Sequence, residues 1–243
     1  NKKLLTAAIA SALVAPMTAN AIEHSISGHV NRMIRFADDG KASEIQQLDN
    51  AASQTRIRWR GTGDIGRGMK AGIYIETGVA SSNSSQSPIK LNNGDQGGDS
   101  AFSIRHSRLD FSGKWGKLTL GHTSPAGDGI ADQDLSGTGI AGGYDIAGDS
   151  AGAIAWRTKT NGGILPGAVT LGASGGTLDG GRRDVLRYDS PALGPVTIAT
   201  SVSNDNYWDI GVYGNSSIGG GTLAFAGGYI KSKQRENFDS WGL

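Results

Sequence analysis

The sequence contains no cysteine, only six prolines, and no apolar run of the about 18 residues that a membrane-spanning helix requires. The missing cysteines exclude a disulfide framework and a thiolate metal site. Charge is scarce and balanced, with 23 Lys and Arg against 22 Asp and Glu. A balanced chain of this kind offers no basic surface for nucleic acid, so we expect no nucleic-acid partner.

The first 21 residues have the layout of a cleaved export signal. Two lysines precede an apolar stretch at 4–14, and the segment ends in Ala-Asn-Ala at 19–21, the small-x-small pattern of a signal-peptidase site. The apolar stretch is much shorter than the roughly 20 residues of a spanning helix. We therefore predict a signal peptide over 1–21 and a mature chain that begins near Ile22.

Glycine is abundant, at 39 of 243 residues, and the chain alternates apolar and polar side chains over many short segments. "HSISGHVNRMIRF" (24–36) and "MKAGIYIETGVAS" (69–81) both show this period of two, which is typical of a strand with one apolar and one polar face. Counting such segments predicts an all-β chain of about 11 strands, with a twelfth beginning at "SWGL". The count includes "GAIAWRT" (152–158) and "AVTLGAS" (168–174).

Loop lengths alternate as well. The short turns are at 61–68, 113–116, 191–195 and 215–221, and the long connections are at 38–50, 81–100 and 124–150. Successive hairpins place the short turns on one rim and the long loops on the other, as in bacterial outer-membrane barrels. A soluble sandwich has no reason to keep this asymmetry.

The segment "TRIRWRG" (55–61) indicates the environment of each face. Its three arginines alternate with Ile57 and Trp59, and arginine is too costly in lipid for any face except a wet one. The arginines should therefore face a water-filled lumen. In "FSIRHSRLDFSG" the parity changes between Ile104 and Arg108, which predicts a β-bulge or a strand end near 105–107.

Two long segments, "RIRWRGTGDIGRGMKAGIYIETG" (56–78) and "SRLDFSGKWGKLTLGHTSPAGD" (107–128), resemble the second to fifth strands of Gram-negative general porins. The resemblance implies a transmembrane antiparallel β-barrel of the 16-stranded type, usually a homotrimer. Such a barrel lies in the outer membrane, contacts lipid and lipopolysaccharide, and lets small hydrophilic solutes and ions diffuse passively, without a cofactor. Since family chains are longer, we expect residues 22–243 to be an amino-terminal part of the barrel that does not function alone.

In this family the third long loop, here residues 124–150, folds into the pore and faces a ladder of arginines. By position, the ladder candidates are Arg56 and Arg108, with Arg58, Arg35 and Arg105 as neighbours. The acidic candidates on the loop are Asp128, Asp132, Asp134, Asp145 and Asp149. Since these charges nearly balance, the sequence leaves the ion preference open.

Other functions have weaker support. "GTGDIG" (61–66) fits a dinucleotide fingerprint but leads into a strand rather than a helix. His106 and Ser107 are adjacent, so on a strand they point to opposite faces and cannot share a proton. We expect no catalytic residue, metal ligand or cofactor. The alternative that stays open is a secreted or surface-exposed β-rich binding module.

Overall fold

The computed structural model describes residues 22–89, 101–131, 133–142, 145–159, 161–164, 169–174, 180–204, 206–232 and 240–242. The predictions for the signal peptide and for Asp132 lie outside these residues. The twelve strands within them are β1 (Glu23–His29), β2 (Arg32–Asp38), β3 (Ser43–Asp49), β4 (Arg56–Gly66), β5 (Met69–Ala80), β6 (Ala101–Gly113), β7 (Gly116–Thr123), β8 (Arg183–Asp189), β9 (Val196–Ser203), β10 (Trp208–Ile218), β11 (Gly221–Lys231) and β12 (Ser240–Gly242). Ten of them form one antiparallel sheet in the order β1-β4-β5-β6-β7-β8-β9-β10-β11-β12. None of the described helices is long and apolar enough to cross a membrane.

The first predicted strand is interrupted. β1 ends at His29, and β2 pairs with β3 as a separate two-stranded hairpin. The break arises because a 3-10 turn, Ala51–Ser53, replaces the partner strand at this point. Asn31 fills the gap, since its backbone N–H donates to Thr55 Oγ1 at 3.0 Å and its side-chain amide donates to the Ser53 carbonyl at 3.1 Å.

The predicted asymmetry of the rims is confirmed for the short turns. The connections β4–β5, β6–β7, β8–β9 and β10–β11 lie on one rim and span two to six residues. The first of them is Arg67-Gly68, with φ of 55° and 72°, the left-handed geometry of a tight hairpin turn. The opposite rim carries the long β5–β6 and β7–β8 connections, together with one short turn between β9 and β10. The predicted connection at 38–50 is wrong, because Ser43–Asp49 forms strand β3 and pairs with β2.

Two predicted strands are wrong. Residues 152–158 and 168–174 belong to the long β7–β8 connection, which also holds the short helices α1 (Ile146–Ala151) and α2 (Leu171–Ser174). Their alternation arises because the two segments meet each other through an isolated bridge, Ala155 to Thr170. They do not join the main sheet, because β7 pairs directly with β8.

The two faces of the main sheet differ as predicted. One face exposes large apolar side chains on successive strands: Ile26, Ile57, Trp59, Leu120, Leu186, Val202 and Phe225. Ile26 and Trp59 are cross-strand partners on this face. A broad exposed apolar band on a sheet suits contact with lipid. The other face is polar and carries the candidate site.

The predicted bulge is confirmed at Arg105. Glu76 of β5 pairs with His106 and the next residue, Thr77, pairs with Ile104, so Arg105 is the extra residue. A bulge of this kind re-aims side chains relative to strict alternation. Phe102 and Ile104 consequently stay on the apolar face, while Arg105 reaches the polar one.

Candidate functional site

The polar face carries a cluster of arginines around one glutamate, Glu76 on β5. Arg58 on β4 lies directly opposite Glu76 in the strand register, and its Nε donates to Oε2 at 2.6 Å. Arg56, on the same strand, donates to Oε1 at 3.2 Å. Arg105 of β6 donates to the same oxygen at 2.6 Å. Strands β4 and β6 thus bring three guanidinium groups to the carboxylate on β5, the strand between them, and we name these four residues the Glu76 cluster.

The carboxylate of Glu76 is fully used. The residue is only 2% exposed, and the Tyr74 hydroxyl also donates to Oε2, at 2.6 Å. Each carboxylate oxygen therefore accepts two hydrogen bonds. A buried charge is tolerated when it is paired and hydrogen-bonded in this way. Since one anion is shared by three cations, the cluster keeps an excess of positive charge.

A second row of cations lies beside Tyr74. Arg60 and Arg108 are its cross-strand neighbours on β4 and β6, and each places its guanidinium carbon 4.8 Å from the centre of the Tyr74 ring. Such cation–π contacts hold arginine against an aromatic face without neutralising its charge. Arg108 also contacts Asp110 at 3.2 Å and donates to Thr123 Oγ1 at 2.9 Å.

His106 links this row to the end of the long β7–β8 connection. Arg182 donates from Nε to His106 Nε2 at 3.4 Å, and His106 Nδ1 lies 2.9 Å from Thr123 Oγ1. Because Nε2 accepts from Arg182, the ring proton resides on Nδ1, which donates to Thr123. Arg182 is also within electrostatic reach of Arg105. It thus adds another cation to this part of the polar face.

The beginning of the β7–β8 connection lies across the polar face of β8 to β11. Arg187 on β8 donates to the carbonyls of Ser124 and Pro125, at 3.1 and 2.8 Å. Tyr213 on β10 donates to the carbonyl of Asp128 at 3.1 Å. Ile130 lies against Gly228 of β11, where it occupies the space that a side chain would fill. The segment 124–130 is therefore packed onto the polar face of β8 to β11.

Asp209 on β10 holds the segment 124–130 against the polar face of the sheet. Its side chain is fully buried, and its Oδ2 accepts from the backbone N–H of Gly127 at 2.6 Å and from the Tyr207 hydroxyl at 2.8 Å. The Ser201 hydroxyl donates to the other oxygen. Burial and the neighbouring carboxylate of Asp209 raise the pKa of Tyr207, so its hydroxyl stays protonated and remains a donor. We name Asp209, Tyr207 and Ser201 the loop clamp.

The four described aspartates of the predicted acidic set do not meet the Glu76 cluster directly. Asp128 lies within electrostatic reach of Arg182, which lies beside the cluster. Asp134 is exposed and accepts from the backbone N–H of Ser136, while Asp145 caps α1 by accepting from Gly148 N. Asp149 lies on α1. Within the described residues, no ion pair joins any of them to an arginine of the cluster.

Arg35 lies apart from the other predicted ladder residues. It is buried on β2 and donates to Gln46 Oε1 and to three carbonyls, those of Ser84, Ser87 and Ser150. It therefore joins the β2–β3 hairpin to two other connections of the same rim. The structure brings Arg56, Arg58, Arg105 and Arg108 together, and it does not bring Arg35 to them.

We expect the stability of α1 to depend on pH through the carboxyl group of Asp149. Burial, together with the nearby Asp145, raises the pKa of Asp149 from its ordinary value of 3.8 to about 6. Because the folded carboxyl holds its proton more tightly than the unfolded one, the packing of α1 is most stable below pH 4 and loses stability as the pH rises through about 6. We expect amides of α1 to exchange hydrogen more slowly at pH 5 than at pH 7.5, after correction for the intrinsic exchange rate.

The matched variants separate Asp149 from other groups. Asp149→Asn should remove this pH dependence and should slow exchange at pH 7.5. Asp134→Asn changes an exposed carboxyl of the same connection and should leave the dependence intact. A pH dependence that survives Asp149→Asn would assign it to another group.

Comparison with known proteins gives one family. The family model described as Gram-negative porin matches residues 5–243. The chain is 28% identical over 144 residues to outer membrane porin protein 32 of Delftia acidovorans, an alignment that covers 57% of this chain and 37% of that protein.

Two solved structures resemble this chain over most of its length. The anion-selective porin from Comamonas acidovorans matches with a TM-score of 0.49 and 20% identity, over 86% of this chain and 62% of that one. The outer membrane channel DcaP of Acinetobacter baumannii matches with a TM-score of 0.46 and 14% identity, over 90% and 55%. The chain thus spans less than two thirds of the length of these relatives.

Proposed function

Because the chain belongs to the Gram-negative porin family, we propose that it forms part of an outer-membrane channel for the passive diffusion of small hydrophilic solutes and ions. The observation that carries the proposal is the arginine-rich polar face, which lies opposite an apolar exposed face of the same sheet. Polar residues of the first face would hold water through the membrane, and the second face would meet lipid. The proposal includes no catalytic step and no cofactor.

The narrow part of this channel is proposed to lie between the Glu76 cluster and the β7–β8 connection. Support comes from the segment 124–130, which lies on the lumen face of β8 to β11. The predicted constriction loop, 124–150, begins with this segment. Its carboxylates include Asp128, the one within electrostatic reach of the arginine wall through Arg182.

The wall of the constriction is proposed to consist of Arg56, Arg58, Arg105 and Arg108, with Arg182 as an addition that the sequence did not suggest. Arg35 has no place in it because its guanidinium is buried in contacts with the rim connections. The remaining loop aspartates would contribute to the field from a greater distance.

We propose that the channel prefers anions. The Glu76 cluster holds three arginines around one carboxylate, and Arg182 lies beside it. Fixed charge of one sign in a narrow passage favours the counter-ion, as charged rings do in other pores. The substrates are therefore proposed to be small hydrophilic anions that enter by size and charge.

The test is ion selectivity in planar bilayers for the protein that contains this chain. Replacing both Arg56 and Arg105 by glutamine should lower the chloride-to-potassium permeability ratio by about 30-fold, since each of the two charges contributes about 1 kcal/mol at short range in water. The matched control is Lys114→Gln, which removes an exposed cation from a short turn and should leave the ratio unchanged.

The outcomes separate the two parts of the proposal. If the folded wild-type protein gives no channels, the channel function is wrong. If channels form and the ratio does not change in the double variant, the assignment of the arginine wall is wrong while the channel stands.

The exposed apolar face is proposed to contact outer-membrane lipid, with lipopolysaccharide at the rim of the long loops, and neighbouring copies in a homotrimer. Its large exposed side chains, such as Ile26, Trp59 and Phe225, are suited to both environments. A homotrimer should run as a heat-modifiable band of about three subunit masses on denaturing gels, and a monomer at every temperature would contradict it.

A further inference from the structure

A recess of about 340 Å³ lies on the lumen face of β4 to β7, on the side of Tyr74 away from the Glu76 cluster. Four cations line it, namely Arg60, Lys70, Arg108 and Lys117, with Asp110 as the carboxylate among its lining residues. We name it the lysine recess. It lies nearer to the rim of the short turns, because Lys70 follows the β4–β5 turn and Lys117 follows the β6–β7 turn.

The strand register explains why the recess exists. Arg60, Tyr74 and Arg108 are neighbours in one row across the sheet, and Lys70, Ser112 and Lys117 are neighbours in another. The two rows are four residues apart along β5, which corresponds to about 13 Å. Both rows point their side chains to the same face, since the separation is an even number of residues.

Gly72 lies between these rows and leaves the space open. It pairs with Thr62 on one side and Asp110 on the other. A glycine in a strand often marks a place where another group approaches the backbone closely. Because Gly72 has no side chain, the space between the two rows of long cationic side chains stays open.

The cations of the lysine recess are only partly neutralised. Asp110 is shared between Arg108, at 3.2 Å, and the Thr119 hydroxyl, at 2.7 Å. Lys117 lies 3.7 Å from Asp189, and its side chain is 41% exposed. Among the described residues, neither Arg60 nor Lys70 forms an ion pair. The recess therefore offers unpaired guanidinium and ammonium donors to a solute.

We propose that the lysine recess binds a small oxyanion with two or more negative charges, such as a dicarboxylate or inorganic phosphate. This inference rests on the proposed channel function and adds a second anion-binding site to the channel, after the constriction. Arginine binds oxyanions through paired N–H donors, and lysine supplies mobile charge that follows the bound group. A divalent anion contacts both rows at once, whereas chloride contacts only one.

The test uses inorganic phosphate in planar bilayers, with chloride as the carrier of current. Phosphate added from the side of the short turns should reduce the chloride current in a saturable manner. The double variant Lys70→Gln, Lys117→Gln should raise the half-blocking phosphate concentration by about tenfold, because two charges close to a divalent anion are removed. The matched control, Arg67→Gln with Lys114→Gln, removes two cations of the same rim that do not line the recess.

Each outcome decides between the inference and the function on which it rests. If the block is unchanged in the double lysine variant but lost in the Arg56 and Arg105 variant, phosphate binds at the constriction and the lysine recess is not a site. If the control variant weakens the block as much as the lysine variant, the effect is rim charge alone and the inference is wrong. If folded protein gives no channels, the proposed function fails and the inference fails with it.

Discussion

Glu76→Gln is expected to make the proposed channel favour anions more strongly and the folded protein less stable at the same time. The amide keeps one acceptor oxygen but turns an NH₂ group towards guanidinium donors that had been paired with a carboxylate. Three buried or half-buried arginines then lack their counter-ion. Breaking one partner of a buried ion pair costs about 3 to 5 kcal/mol, so we expect a loss of stability of this order.

Two measurements on the same protein check this result. The chloride-to-potassium permeability ratio should rise, because the negative charge at the centre of the cluster is removed, and the midpoint of urea unfolding in detergent should fall. Glu23→Gln provides the control, since it neutralises an exposed carboxylate on β1. A fall in stability without any change in selectivity would show that the Glu76 cluster is structural and lies outside the ion path.

Asp209→Ala is expected to release the segment 124–130 from the wall. The carboxylate is buried and accepts from Gly127, Tyr207 and Ser201, so alanine leaves three donors without their acceptor. Hydrogen bonds to a charged group each contribute about 1.5 to 3 kcal/mol. The freed segment should move within the lumen, and we expect a larger mean conductance with frequent partial closures.

Single-channel recordings measure this effect directly. Asp184→Ala is the matched control, because it removes an exposed aspartate from β8, two strands away in the same sheet, without touching the segment. If Asp209→Ala fails to fold, Tyr207→Phe and Ser201→Ala remove single donors of the loop clamp and should give weaker forms of the same recordings. Steady, wild-type currents in all three variants would mean that the loop clamp does not control the position of the loop.

Much of the fold could be predicted because a strand with one polar and one apolar face leaves a clear pattern. The alternation in 69–81 fixed both the element and its faces, and the change of parity near 105–107 located the bulge. The same pattern failed at 152–158 and 168–174. Two short segments that pair with each other inside a connection alternate in the same way as barrel strands, so local periodicity could not distinguish them.

The site was predictable only in part. The arginines of β4 stood out because three of them follow one parity in a chain with little charge. Arg35 has the same residue type and parity, but its neighbours are carbonyls from connections about 50 and 115 residues away, which local pattern cannot reveal. Glu76 and Asp209 were missed because their importance depends on cross-strand partners. For Glu76 a signal existed, since aligning β4 and β5 across their turn places it opposite Arg58.

The extra residue, Arg105, switches which residues of β6 face outward. On one side of it the even-numbered residues, such as Phe102 and Ile104, face outward, and on the other side the odd-numbered ones do, such as Leu109. Deleting Arg105 would remove the bulge and leave plain alternation in which Phe102, Ile104 and Leu109 still face outward. Pairing the strand without the bulge while Arg105 is kept would instead turn one half of the strand to the opposite face. A single-residue insertion or deletion elsewhere in β6 should be tolerated far less than a substitution, because it would turn the residues between that point and the bulge to the opposite face.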